Sequence, residues 1–179
     1  MEKKRSSKEE YYLNIAKEVA ERSTCYRNKG GTVIVCDDQI IATGYIGAPR
    51  KTKSCFERNE CLRDKLNIPH GQRYEMCRSV HAEMNAIINA ARAGVSLLGG
   101  DMYIYICEAK NNVKKDSYPC FYCKRVIINA GLNRIICSTG EGDYKIFNVV
   151  DFVKEWQEKD IIDDKYQYGT DTNIKENLK

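Results

Sequence analysis

Long apolar runs are missing from this 179-residue sequence; the longest, Met102 to Cys107, stops at six residues, whereas a helix crossing a membrane needs ~20. A helical membrane span is therefore excluded. Proline is scarce, at 3, glycine numbers 12, and no repeat or low-complexity tract marks an interdomain linker. The expectation is one domain over residues 1–162, followed by a polar, frayed tail over 163–179. The N-terminus, MEKKRSSKEE, is basic but has no apolar stretch behind it, so a secretory leader is not expected and the cytoplasm is the expected compartment. Charge of one sign is also nearly absent in excess: 29 Lys and Arg against 25 Asp and Glu leave +4, too little to indicate nucleic acid by itself. Cysteine is what the chain has in abundance. Nine thiols, an odd count, in a reducing compartment point to metal ligands or buried thiols rather than a disulfide framework.

The apolar positions Tyr12, Ile15, Ala16 and Val19 repeat with helical spacing and predict an amphipathic helix over Ser7 to Arg22. Thr32 to Cys36 and Ile40 to Tyr45 are β-branched runs separated by Asp37-Asp38-Gln39, which predicts a hairpin. From Gly47 to Val80 no period is visible, and a loop of that length inside a compact domain is usually functional. A helix follows over His81 to Arg92 with Gly94 as its stop, then a buried strand over Met102 to Cys107. The polar segment Glu108 to Tyr118 reads as a surface excursion. Pro119 is expected to open a helix reaching Ala130, and Arg134 to Ser138 and Tyr144 to Asn148 read as strands before a last helix over Asp151 to Lys159. Strands alternating with helices imply crossover connections and a sheet covered by helices.

Two motifs at predicted helix starts carry the chemistry: His81-Ala82-Glu83 and Pro119-Cys120-Phe121-Tyr122-Cys123. Cys120 and Cys123, three residues apart on a helix, share a face and can grip one metal together with His81. Three such ligands suit tetrahedral zinc and leave its fourth position for water, whose pKa a bound zinc lowers toward ~7. Glu83 can approach that water without ligating the metal and move a proton. A lone CxxC also occurs in redox pairs, and four-cysteine zinc knuckles only stabilise a fold; neither accounts for His81 and Glu83. The joint pattern, H-x-E followed by P-C-x-x-C, is the signature of zinc base deaminases.

With these motifs, with Gly31-Thr32-Val33-Ile34-Val35, and with Gly44-Tyr45-Ile46-Gly47-Ala48-Pro49, the sequence resembles the cytidine and deoxycytidylate deaminase superfamily, and within it the deoxycytidylate (dCMP) deaminases, over about residues 7 to 140. The resemblance implies a three-layer αβα fold with a central mixed sheet of about five strands. It implies hydrolysis of a cytosine nucleotide to its uracil counterpart plus ammonia, in pyrimidine deoxynucleotide metabolism, with zinc as cofactor, dCTP and dTTP as possible regulators, and a homo-oligomer. It makes His81, Cys120 and Cys123 the metal ligands and Glu83 the proton carrier. One position departs from the pattern: Ile46 stands where the family has an asparagine that bonds nucleotide. A tRNA adenosine deaminase shares the zinc motif, and a zinc-stabilised nucleic-acid-binding module is the reading from a different class.

The segment Gly47 to Val80 holds eight Lys or Arg against four Asp or Glu. It is either a solvated basic loop or a cradle in which Arg50, Lys51, Lys53 or Arg78 meets a 5′-phosphate. Arg27 and Asn28 are further candidates at the pocket floor, and Ile46, Ala82 and Tyr122 are expected near the base. Arg92 is expected either as a surface charge or at a subunit contact. Cys25, Cys55, Cys61 and Cys77 lie in or near the long loop and could form a second, structural zinc site, as phage members of the family do with cysteines at the first two positions. Buried free thiols are the other reading. Cys36, Cys107 and Cys137 fall in strands and read as core, and His70 as an exposed or locally bonded side chain.

Overall fold

The computed structural model describes residues 5–69 and 72–159; the tail over 163–179 and His70 lie outside the described residues. β1 (Asn28–Cys36) and β2 (Gln39–Tyr45) form the expected hairpin. Its turn is only Asp37 and Asp38, at φ 48° and 61°. A tight primed turn requires positive φ at both central residues, and aspartate tolerates it. Gln39, read as part of the turn, instead pairs with Cys36 as the first residue of β2. β1 starts at Asn28 rather than Thr32, because Asn28 to Gly31 pair with Tyr105 to Glu108. The neighbouring ladder, not side-chain propensity, sets that boundary.

β3 (Asp101–Glu108), β4 (Arg134–Ser138) and β5 (Tyr144–Asn148) complete a sheet of order β2-β1-β3-β4-β5. All neighbours are antiparallel except β3 and β4. The expected mixed, five-stranded sheet is present. Among the described residues the helices are α1 (Lys8–Ala20), α2 (Cys55–Arg58), α3 (Leu62–Lys65), α4 (Ala82–Ala93), α5 (Phe121–Asn129) and α6 (Val149–Glu158). A parallel strand pair cannot be joined by a tight turn, and α5 lies on the crossover from β3 to β4.

Strand alternation sorts the core into two faces. Val33, Val35, Tyr103, Tyr105, Cys107 and Ile136 point to one side and bury Tyr12, Leu13, Ala16 and Ala20 of α1. Ile34, Met102, Ile104, Ile135 and Cys137 point to the other and bury Ala86 and Ala90 of α4, Cys123 and Ile127 of α5, and Phe152 of α6. This is the three-layer arrangement. The alanines of α4 allow it to lie directly on β2: a Cβ on Gly44 would stand 2.3 Å from the carbonyl oxygen of Ala82 and from the amide nitrogen of Ala86. That contact fixes the first turn of α4, where His81 and Glu83 sit. Gly94, at φ 68°, ends the helix in the left-handed conformation.

Two expectations are corrected. The segment Gly47 to Val80 is not unstructured: it contains α2, α3 and a 3-10 turn over Tyr74–Met76. Each is too short to display a hydrophobic period. Pro119 does not open the first turn of α5; Cys120, extended at φ -70° and ψ 168°, is the N-cap, and the helix starts at Phe121. The Glu108 to Tyr118 segment is the expected surface excursion, with Lys110 to Lys114 exposed, and it turns inward only at its end. Ser117 is fully buried, its hydroxyl donating to the carbonyls of Ile104 (2.8 Å) and Ser138 (3.0 Å). Among the described residues, no helix is long and apolar enough to cross a membrane.

Candidate metal centre

His81 is the N-cap of α4 and Cys120 the N-cap of α5, and neither side chain caps its own helix. Both project from the ends of their helices toward one point. Cys123 joins them from the first turn of α5. The sulfurs of Cys120 and Cys123 each lie 3.4 Å from His81 Nδ1, and all three donor atoms fall within 4.8 Å of one another. Among the described residues no other trio of His, Cys, Asp or Glu closes to this spacing. In a tetrahedral zinc site, bonds of ~2.0 Å to nitrogen and ~2.3 Å to sulfur leave the two donors about 3.5 Å apart. The donor set therefore fits zinc in type and in spacing.

The thiolate character of Cys120 also fits a metal, whereas His81 must give up its proton to become a ligand. Hydrogen bonding to Cys123 and His81 brings the Cys120 thiol down to about 4 despite its burial. Burial works to lower His81, but the Cys120 hydrogen bond and the Glu83 carboxylate outweigh it and raise the imidazole to about 9. Cys123 moves up as Cys120 moves down, because the two sulfurs share one proton. Two helix N-termini facing the site favour the thiolate further. Glu83, 4% exposed, lies outside the donor trio but within hydrogen-bond reach of Cys123. Burial pushes its carboxyl up, Cys120 adds to that, and His81 opposes it. A buried carboxyl held toward its protonated form beside metal donors is suited to carrying a proton.

A cleft of about 270 Å³ opens beside His81, with Tyr74, Ser79, Val80, Met84 and Tyr122 among its walls. Tyr122 lines the cleft and is 55% exposed. Tyr74 is a wall residue that the sequence reading missed. Its ring meets His81 edge-on at 5.2 Å between centroids, and the guanidinium of Arg63 lies over the ring, 4.9 Å from its centroid. Arg63 is itself buried and donates to the carbonyls of Pro69 (2.8 Å) and Gln72 (2.7 Å). Only the length of the aperiodic loop hinted at such a wall.

The remaining candidates separate. Arg27, expected at the pocket floor, is instead paired with Asp64 and donates to the Ile68 carbonyl (3.2 Å); Asn28 accepts from Lys115 (3.2 Å). Neither lines the cleft. Ile46 packs over Gly30, and its amide donates to the Gly30 carbonyl (3.0 Å). Ala82 is buried behind His81. Arg78 is tied to Glu60 through carboxylate and carbonyl. Arg50 bonds Asn89 and shares a separate hollow of about 210 Å³ with Ile88 and Arg92 on the outer side of α4. Cys25, Cys61 and Cys77 lie within electrostatic reach of Cys55. Burial raises the Cys55 thiol, a hydrogen bond from Arg78 opposes this, and the three other thiols raise it further.

The model of the cytidine and deoxycytidylate deaminase zinc-binding region matches residues 6–139. The chain is 32% identical over 135 residues to the deoxycytidylate deaminase of Schizosaccharomyces pombe, covering 75% of this chain but only 38% of that relative. It is also 32% identical over 133 residues to the deoxycytidylate deaminase of Mycobacterium phage D29, covering 72% of this chain and 91% of that protein. In fold it is similar to the dCMP deaminase of cyanophage S-TIM5 solved with dCMP and dUMP, at a TM-score of 0.51 and 22% identity over 73% of this chain and 82% of that one. The match spans both His81-Ala82-Glu83 and the Cys120 and Cys123 pair, and the chain belongs to the cytidine and deoxycytidylate deaminase zinc-binding family.

Proposed function

We propose that this chain is a zinc-dependent hydrolase that converts dCMP to dUMP and ammonia. The observation that carries the reading is the meeting of one imidazole nitrogen and two sulfurs at 3.4 Å, with the buried Glu83 beside them and a cleft in front. The named relatives support the choice of dCMP. His81, Cys120 and Cys123 would hold the metal. The chemistry it supplies when bound is the acidification of one water molecule near neutral pH. Glu83 accepts a proton from that water, passes it to N3 of the cytosine, and carries a second to the departing amine as the new oxygen joins C4. The C4–N bond breaks and ammonia leaves. Tyr74 and Met84 shape the cleft that receives the base, and Tyr122 closes its rim.

Of the loop cations, Arg78, Arg73 and Lys65 pair with carboxylates, and Arg63 is spent on backbone carbonyls and Tyr74. Arg50, Lys51, Lys53 and Arg58 form no ion pair among the described residues, and the first three are the candidates for a 5′-phosphate. A charge-assisted contact is worth ~1.5 to 3 kcal/mol, so dCMP should exceed deoxycytidine in kcat/KM by at least about tenfold. Ammonia release on both substrates tests this. Single Ala replacements of Arg50, Lys51 and Lys53 should erode the ratio through dCMP alone. Equal rates on nucleotide and nucleoside would remove the phosphate cradle. Self-association and regulation by dCTP or dTTP are the finer parts of the same reading.

A second, structural zinc among Cys25, Cys55, Cys61 and Cys77 belongs to the proposal as well. Its support is that Cys25, Cys61 and Cys77 lie within electrostatic reach of Cys55, although no three of these thiols close to the donor spacing of the His81 trio, so a metal there would have to draw them together. A metal there would clip a long loop whose closure is entropically costly. Elemental analysis of the intact chain should give two zinc per chain, and Cys55→Ser should lower the count to one while His81 still holds its own. One zinc in the parent would leave these cysteines as buried thiols.

A further inference from the structure

Lys124 follows the donor Cys123 in α5 and is wholly buried, with 0% exposure. Its ammonium lies among aromatic rings: 4.2 Å from the centroid of Tyr118, 4.9 Å from Phe152, and 5.8 Å from both Phe121 and Trp156. The rings come from two places. Tyr118 and Phe121 flank Pro119 and Cys120, the segment that presents one of the two sulfurs. Phe152 and Trp156 belong to α6, which lies beyond residues 6–139 of the family match. The two pairs also touch, Tyr118 with Phe152 at 6.0 Å and Phe121 with Trp156 at 6.3 Å.

A residue that only filled this space would be apolar, because taking an ammonium out of water is costly and attraction to ring faces offsets that cost. What a cation adds is the ability to hold several ring faces at once, from both sides of a seam. Here the seam runs between α6 and the start of the donor helix.

We propose that Lys124 is a positioning residue, whose buried side chain locks α6 against the Tyr118–Phe121 segment and so holds Cys120 and Cys123 at the spacing from His81 that a metal requires. The inference rests on the zinc reading above. It makes α6 a working part of the metal centre although none of its residues reaches the donors.

The test is release of zinc from the loaded full chain to a chromophoric chelator, read beside melting temperature and steady-state kinetics. Lys124→Met keeps length and apolar bulk and removes the charge. Without metal it should melt no lower than the metal-free parent, and when loaded it should release zinc at least tenfold faster and lose kcat at unchanged KM, whereas a packing defect would lower the melting temperature of the metal-free form as well. Lys124→Arg should recover most of the parent's slow release. Trp156→Ala, which weakens the cage from the α6 side, should speed release in the same direction, and it carries the test if the Met variant does not fold. Zinc retention equal to the parent's in Lys124→Met, or in Trp156→Ala standing in for it, would overturn the inference. A parent that holds zinc but leaves dCMP unchanged would overturn the substrate reading only, and a parent that holds none would overturn both.

Discussion

Replacing Glu83 by glutamine should leave zinc in place and lower turnover by about a thousandfold, since general acid–base catalysis contributes ~10² to 10⁴. The carboxyl is almost wholly buried in the first turn of α4, so the amide occupies the same space with little disturbance of Ala82 or Ala86. What it loses is the ability to take up a proton and give it back. Burial already favours the protonated carboxyl, so the parent bears a cost whenever that group ionises, and the variant does not. Glu83→Gln should accordingly be at least as heat-stable as the parent. Zinc content, melting temperature and ammonia release measured on one preparation decide the matter. A zinc-replete Gln variant that turns over near the parental rate would remove Glu83 from the chemistry.

His81→Ala, Cys120→Ala and Cys123→Ala should each strip the metal and abolish turnover, because two donors cannot complete a zinc site. Stability should fall with it. A ligand that binds only the folded chain contributes about 4 kcal/mol at a thousandfold excess over its Kd, and these variants forfeit that contribution. The three changes should be close to equivalent in zinc content, since both sulfurs stand at the same distance from the same nitrogen. Unlike Glu83→Gln, each should melt below the loaded parent and match the parent after chelation. Metal analysis and thermal melts with and without added zinc provide the check, and a variant that retains one tightly bound zinc at this site would break the assignment.

The parts of this centre that were legible in the sequence share a physical reason. His81, Glu83, Cys120 and Cys123 fall in two short stretches whose internal spacing is set by helix geometry, so local sequence already determines which side chains share a face. The end of α4 was equally readable, from its glycine stop. The cleft wall was not. Tyr74 meets His81 while Arg63, which donates to two loop carbonyls, lies over its ring, a relation among residues on separate short elements with no common period. The basic loop was only partly legible for a related reason: composition counts charges but not their pairings, and Lys65, Arg73 and Arg78 are each held by a carboxylate. Pro119 misled by one step, since a proline next to a helix start can precede the N-cap as well as follow it. Lys124 drew no notice as one more charge in a charged chain.

The position of β3 at the centre of the sheet has a kinetic consequence. Its partner β1 lies far back along the chain, with Val35 opposite Asp101 and Asn28 opposite Glu108, and everything from β2 through α4 must be looped out before that ladder can close. His81 comes before β3 and Cys120 after it, so the donors meet only when the strand has docked and the crossover through α5 has been made. Such long-range closure is the slow part of folding for mixed topologies. A metal that recognises only the completed trio arrives after this barrier has been crossed. It therefore acts on the rate at which the finished molecule comes apart, leaving the rate at which it assembles nearly untouched.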